Sequence, residues 1–228
     1  MDGSSLVATC LQTDVPGPAP PTKRSAPQSK RAVQWGIAEM HFTETGVAGA
    51  WIIDLSPHHD ERGRFMRMWC VREFEEQGIH FLPVQANMQF SPRKGTVRGL
   101  HLQVAPALEA KLVRCTRGAI FDVAVDLRPS SPTFGQWCSA ELSAENGRML
   151  YVPEQCAHGY QSIEENSETM YLTSAFYAPE SCRGARFDDP AFGIQWPLPV
   201  SAISERDREW PLIQRDRTSL RWSDPYEC

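Results

Sequence analysis

The stretch Lys111-Leu-Val-Arg-Cys-Thr-Arg-Gly-Ala-Ile-Phe-Asp-Val-Ala-Val-Asp-Leu127 decides the fold class. Each half has the length and β-branched, apolar character of a strand, and Arg117-Gly118 between them is a turn signal. The spacing therefore predicts a β-hairpin of residues 111–116 and 119–127. In the second half Ala119, Phe121, Val123, Val125 and Leu127 fall on one face and Asp122 and Asp126 on the other, the alternation of a strand. Lys111 heads the first half beside Leu112 and Val113, which mark a buried strand. Lysine is almost never fully buried unless paired. An inward Lys111 therefore points to an anionic ligand or intermediate, whereas an outward one needs no explanation.

Outward from this stretch the chain keeps the same character. Trp51-Ile-Ile-Asp-Leu55 is one run, His58-His59-Asp60-Glu61-Arg62-Gly63 a polar turn, and residues 148–152 and 169–176 supply two further runs. One short helix is expected over residues 71–78, with Val71, Phe74 and Glu75 at helical spacing and Gly78 as its stop. Many strands with scarcely a helix predict an all-β antiparallel sandwich or barrel, and no internal repeat is present. Residues 1–33 read as a disordered tail, with Pro16, Pro18, Pro20, Pro21 and Pro27 among serines and the basic pairs Lys23-Arg24 and Lys30-Arg31. The ordered domain is expected over residues 34–215, its first strand somewhere in 34–48, and a C-terminal tail over 216–228.

Composition narrows the function class. A net charge of −5 argues against a nucleic-acid partner, since phosphate affinity needs a concentrated basic surface. No apolar run is long enough to span a membrane, and the N-terminus lacks the apolar segment of a secretory signal. The seven cysteines are odd in number, scattered and without a C-x-x-C pair, as expected of reduced thiols in a cytoplasmic protein rather than of a disulfide or zinc framework.

Three groups carry chemistry: His101 in Arg98-Gly99-Leu100-His101, Lys111, and His158 in Pro153-Glu-Gln-Cys-Ala-His-Gly159. An imidazole takes a proton near neutral pH and an ammonium stabilises the enolate left behind, so the set suits proton abstraction beside a carbonyl. The two histidines also raise a metal-cupin pattern: Gly95-x5-His101 fits it, Glu109 lies downstream, and Pro153 to His158 has the second spacing. Gln103 stands where a second histidine belongs and Gln155 where a glycine does, and a site short of an imidazole binds transition metals poorly. Tyr171 in its apolar strand reads by itself as a core phenol, and Asp207 as a surface acid.

Taken together, the motifs resemble the dTDP-4-dehydrorhamnose 3,5-epimerase family of cupins over about residues 50–213. They are Asp60-Glu-Arg-Gly63, Val97-Arg-Gly-Leu-His-Leu-Gln103, Lys111-Leu-Val-Arg-Cys115, Phe121-Asp-Val-Ala-Val-Asp-Leu-Arg128, Ser131-Pro-Thr-Phe-Gly-Gln-Trp137, Leu142-Ser-Ala-Glu-Asn146, Ala157-His-Gly-Tyr160, Ile194-Gln-Trp-Pro197 and Ser204-Glu-Arg-Asp207. The resemblance implies a cupin double-stranded β-helix, or jelly roll, with short peripheral helices. It also implies a homodimer formed through the sheet, no metal or other cofactor, and a nucleotide-diphospho-4-keto-6-deoxy sugar as substrate. By resemblance His101 is the general base, Asp207 its partner carboxylate, Tyr171 the acid on the opposite face of the sugar, and Lys111 the group at the keto oxygen. Arg98, Gln103 and His158 fall among the sugar contacts. Arg62, Phe65, Gln85, Asn87, Arg206 and Tyr177 fall where the family holds diphosphate, sugar and base, with Tyr177 as the stacking aromatic.

Departures from the family pattern concern specificity. Arg67 replaces the usual Glu of Arg-Gly-x-Phe-x-Glu, Cys182 replaces a second Glu, Gln85-Ala86-Asn87 replaces Gln-Asp-Asn, and Tyr171-Leu172 replaces Tyr-Lys. Catalytic positions are kept while acids facing base and sugar are lost, which implies a substrate differing in nucleotide, sugar or both. The leading expectation is an epimerase acting at C3, C5 or both. The alternatives are a non-catalytic sugar-nucleotide-binding cupin and a metal-dependent cupin enzyme.

Overall fold

The computed structural model describes residues 39–213, and the tails expected at 1–33 and 216–228 lie outside that range. Strands follow one another with few interruptions. They are β1 (Met40–Glu44), β2 (Trp51–Leu55), β3 (His58–Asp60), β4 (Gly63–Phe65), β5 (Gln85–Ser91), β6 (Val97–Gln103), β7 (Lys111–Arg117), β8 (Ala119–Asp126), β9 (Trp137–Ser143), β10 (Met149–Val152), β11 (Cys156–Ser162), β12 (Ser167–Thr173) and β13 (Cys182–Gly184). Two helices punctuate them, α1 (Val71–Glu76) after β4 and α2 (Glu205–Glu209) near the end. One sheet has the order β1-β2-β10-β7-β12-β5 and the other β13-β6-β11-β8-β9, with β3 and β4 forming a small separate hairpin. All ladders are antiparallel, and the two sheets enclose a shared interior, the jelly roll of the cupins.

The expected hairpin of residues 111–127 does not form. β7 pairs with β10 and β12, whereas β8 pairs with β9 and β11 in the other sheet. Gly118 alone separates the two strands, and its φ of +69° turns the chain from one sheet into the other. A hairpin needs at least two turn residues to lay its strands side by side, and a one-residue link makes an arch.

Alternation sorts the side chains into layers. Val113 and Cys115 of β7, Ile120 and Ala124 of β8, and Cys156 and Tyr160 of β11 meet between the sheets. On the outer face of the six-stranded sheet, Leu112 and Met149 are covered by Phe74 of α1. Phe74 sits edge-on to Phe42 at 5.2 Å and to Tyr151 at 6.2 Å, which fixes the helix on the sheet. As expected, Gly78 ends this turn: its φ is +72°, and its N–H returns to the Glu75 carbonyl at 2.9 Å. Val123, Val125 and Leu127 face the other way, under Phe192 and Ala185. The acid face of β8 therefore points inward, and Asp122 is fully buried beside Ile120 and Ala124.

Candidate active site

The same alternation aims a polar set into the interior. On β6, Leu100 and Leu102 pack outward, so Gly99, His101 and Gln103 face in. On β5, Ala86, Met88 and Phe90 are exposed, and Gln85, Asn87 and Gln89 face in. Lys111 shares the inward face of β7 with Val113, and Tyr171 of β12 packs against the interior cluster.

Asp207 reaches this interior from the far end of the chain. Residues 199–204 run beside residues 95–97, held by Ser201 N–H to Gly95 O at 2.9 Å and Val97 N–H to Ala202 O at 2.8 Å. Ser204 then caps α2, its hydroxyl accepting the Asp207 N–H at 3.1 Å. The Asp207 carboxylate is left pointing back at β6. It bonds His101 Nε2 at 2.5 Å and accepts the Gly99 N–H at 3.2 Å. Burial works against the charged carboxylate, but His101, Gly99 and Ser204 together hold its pKa below the ordinary value of 3.8. An ionised acid on one imidazole nitrogen fixes the tautomer and leaves the other nitrogen free to accept a proton. The His101 side chain is 39% exposed, against 6% for Asp207, so the ring can meet a ligand.

A second dyad stands alongside. His158 of β11 is the register partner of His101 and bonds Asp122 at 2.8 Å. This pair is buried, and burial pushes the Asp122 carboxyl up against the opposing pull of His158 and Lys111. Among the described residues, no group of three or more His, Cys, Asp or Glu is arranged to hold a metal ion.

Lys111 is buried, as an inward lysine should be, but its partner is internal. Its ammonium lies 3.0 Å from Glu109 and donates to the His101 carbonyl at 3.2 Å. The burial of Lys111 is thus explained without an anionic ligand. Tyr171 senses the same cluster. Burial first, then the Glu109 carboxylate, raise its phenol above the ordinary 10.0. The interior thus holds an ionised carboxylate on His101 and a protonated phenol at Tyr171.

The cavity at His101 encloses about 350 Å³ and is lined by Arg98, Arg206, Asp207 and Gln89 among others. At its rim Arg206 stacks over Trp210 at 5.1 Å, and the side chains of Tyr177 and Cys182 stand close enough to favour its charged form. Gln85 accepts the Tyr177 N–H at 3.2 Å and donates to Asn87 at 3.0 Å. His101, Asp207, Arg98, Arg206, Tyr177, Cys182, Gln85 and Asn87 thus form one connected region. Gln103 is inward too, but its buried amide is taken up by the carbonyls of Ala107 and Phe176 and by the Ala178 N–H, so it shapes the Tyr177 loop.

Three expected contacts stand apart from this cavity. Arg62 pairs with Asp60 on the exposed β3–β4 hairpin, where Phe65 is 60% exposed. Arg67 pairs with Glu73 of α1 at 2.5 Å and lines a different cavity of about 820 Å³. The charge reversal at Arg67 is answered locally by Glu73.

A profile of the dTDP-4-dehydrorhamnose 3,5-epimerase family matches residues 44–215. The chain belongs to this family. It is 44% identical to the dTDP-4-dehydrorhamnose 3,5-epimerase of Sinorhizobium fredii over 178 residues, covering 78% of this chain and 91% of that protein. Among solved structures, the dTDP-4-dehydrorhamnose 3,5-epimerase of Bacillus anthracis with TDP and PPi bound superposes with a TM-score of 0.74 at 36% identity, over 76% of this chain and 99% of that one. ChmJ, a 3'-monoepimerase from Streptomyces bikiniensis in complex with dTDP-quinovose, gives 0.66 at 33% identity, over 72% and 83%. The protein is thus an isomerase, a carbohydrate epimerase of the cupin fold.

Two interior acids of this epimerase escape a reading by residues alone. Asp122 stands between Ile120 and Ala124, and an acid inside an apolar row is the available signal. Glu109 is met only as the downstream acid of the metal-cupin pattern, and its burial depends on the loop that precedes β7. The helix α2 is likewise unexpected, although Ser204-x-x-Asp207 is a helix-start signature.

Proposed function

We propose that this epimerase inverts C3, C5 or both in a nucleotide-diphospho-4-keto-6-deoxy sugar, through an enolate. The 4-keto group acidifies the neighbouring C–H bonds. His101, oriented by Asp207, removes a proton; Lys111 holds the developing enolate oxygen; Tyr171 returns a proton to the other face of the ring. The observation that carries this reading is the 2.5 Å contact between His101 and a buried carboxylate 106 residues away, beside an internal lysine. Arg98, Arg206 and Tyr177 line the way in and suit a diphosphate and a base. Cys182, where the family usually has Glu, supports a nucleotide or sugar other than the common one, since it meets Arg206 beside Tyr177.

The working form in this reading is a cytoplasmic homodimer. β5 is an edge strand whose outward Met88 and Phe90 are 65% and 47% exposed, an apolar edge suited to pairing with a second copy. The five described cysteines are free thiols, in keeping with a reducing compartment.

The test is to incubate the protein with dTDP-, UDP-, GDP- and CDP-4-keto-6-deoxyhexoses in heavy water and follow the ring protons by NMR. Deuterium entering C3 or C5 of one of them, with inversion, is the expected result. A protein that binds one of these sugars but never exchanges its ring protons is a binder only, and the catalytic reading fails.

A further inference from the structure

We propose that Glu109 is a positioning residue for the acid side of this site: its carboxylate anchors the Lys111 ammonium and sets the charge that the Tyr171 hydroxyl meets. The inference rests on the roles of Lys111 and Tyr171 proposed above. Both partners of the Glu109–Lys111 pair are nearly buried, with side-chain exposures of 10% and 9%, and stand 3.0 Å apart. An ammonium has three donors. Here one goes to the His101 carbonyl at 3.2 Å while the Glu109 carboxylate pairs with the charge 3.0 Å away, so the head of the side chain is held from two directions. A lysine held this way presents one N–H to a keto oxygen without first ordering a flexible stem, which preorganises the site.

The carboxylate has a second consequence. Tyr171 is faced by Tyr160 of β11, Arg98 of β6, Cys182 of β13 and Glu109. Lys111, in turn, acts on Asp122 of β8. Of the groups around the phenol, Arg98 favours ionisation and Glu109 opposes it most strongly after burial itself. A phenol that must give its proton to carbon has to keep that proton until the enolate forms. Glu109 serves that requirement, at the cost of partly neutralising the ammonium beside it.

Without the negative charge of Glu109 the phenol ionises more easily. The test is to compare the full chain with Glu109→Gln, which keeps the shape of the side chain. Tyrosine labelled with 13C at Cζ is titrated without substrate, the Tyr171 signal being identified by its loss in Tyr171→Phe. The expected result is a Tyr171 titration displaced downward in Glu109→Gln, with the alkaline fall of kcat displaced the same way and KM changed by less than about threefold. A folded Glu109→Gln with an unchanged titration and a superimposable pH profile overturns the proposal.

If Glu109→Gln fails to fold, Glu109→Asp decides in its place, because it keeps the charge but withdraws it along a shorter side chain: a lowered Tyr171 titration upholds the proposal and an unchanged one overturns it. The functional reading fails separately: inversion surviving in Tyr171→Phe removes the acid from the mechanism, whereas the NMR titration judges Glu109 with no substrate present.

Discussion

His101 and His158 are register partners across β6 and β11, yet each ring belongs to its own carboxylate, Asp207 at 2.5 Å and Asp122 at 2.8 Å. The two dyads differ in access, since the His101 side chain is 39% exposed and that of His158 only 9%. A base must touch substrate and release its proton afterwards, so the open dyad is the one suited to chemistry. His101→Ala and Asp207→Asn are each expected to abolish deuterium exchange at C3 and C5. Affinity for the nucleotide sugar should stay within roughly tenfold, because these groups act mainly in the transition state. Exchange at wild-type rates in His101→Ala would dismiss the ring as the base.

The two acids should leave opposite marks on stability. The pKa of Asp207 is lowered in the fold, so its stabilisation is complete above the unfolded value of 3.8 and lost as pH falls through the lower folded value. The Asp122 carboxyl is raised, so its contribution is greatest below 3.8 and is lost as pH rises toward the folded value. Urea midpoints measured across the acid range should show Asp207→Asn removing a loss of stability at low pH. Asp122→Asn should remove a loss on the way up. Parallel curves for both variants and the wild type would contradict the charge states described above.

Such differences explain what was legible before the fold was known. Alternation in residues 119–127 suffices to read a strand, and Gly78 suffices to end α1. Alternation does not say which strand lies beside which, so Arg117-Gly118 reads as a hairpin although the chain crosses between sheets there. His101 and Lys111 invite attention as isolated groups, whereas Asp207 reads as a surface acid because its burial depends on residues 199–204 docking beside residues 95–97. Glu109 and Asp122 are ordinary acids until a loop and a second sheet close over them. The role of Arg67 was read from a family pattern, and its pairing with Glu73 is visible only once α1 is in place.

The exposed edge of β5 leads to a prediction about assembly. Met88 lies opposite Met170 of β12 and projects outward with Phe90 along a strand that has a neighbour on one side only. If two copies meet there, a charge on this face is desolvated on association, which a dimer does not tolerate without a partner. Met88→Glu combined with Phe90→Glu should convert the proposed dimer to monomer by sedimentation velocity and leave the far-ultraviolet circular dichroism unchanged. A dimer that persists at micromolar concentration would place the interface elsewhere.

Gly184 is a sensitive point of the site although it has no side chain. It is the register partner of His101 across β13 and β6, and a Cβ built on it falls 2.1 Å from the Trp210 ring. Trp210 follows α2 directly and carries the Arg206 guanidinium on its face, so the bare glycine is what lets the helix seat with Asp207 against His101. Gly184→Ala must push the indole away, and overpacking of this kind typically costs about 1–3 kcal/mol. The helix that moves holds the partner of the proposed base, so activity should suffer more than stability: kcat should fall by at least about tenfold while the chain still folds. Enzyme assays set against a thermal melt would check this, and a Gly184→Ala protein with wild-type kcat would mean that Trp210 relaxes without carrying α2 along.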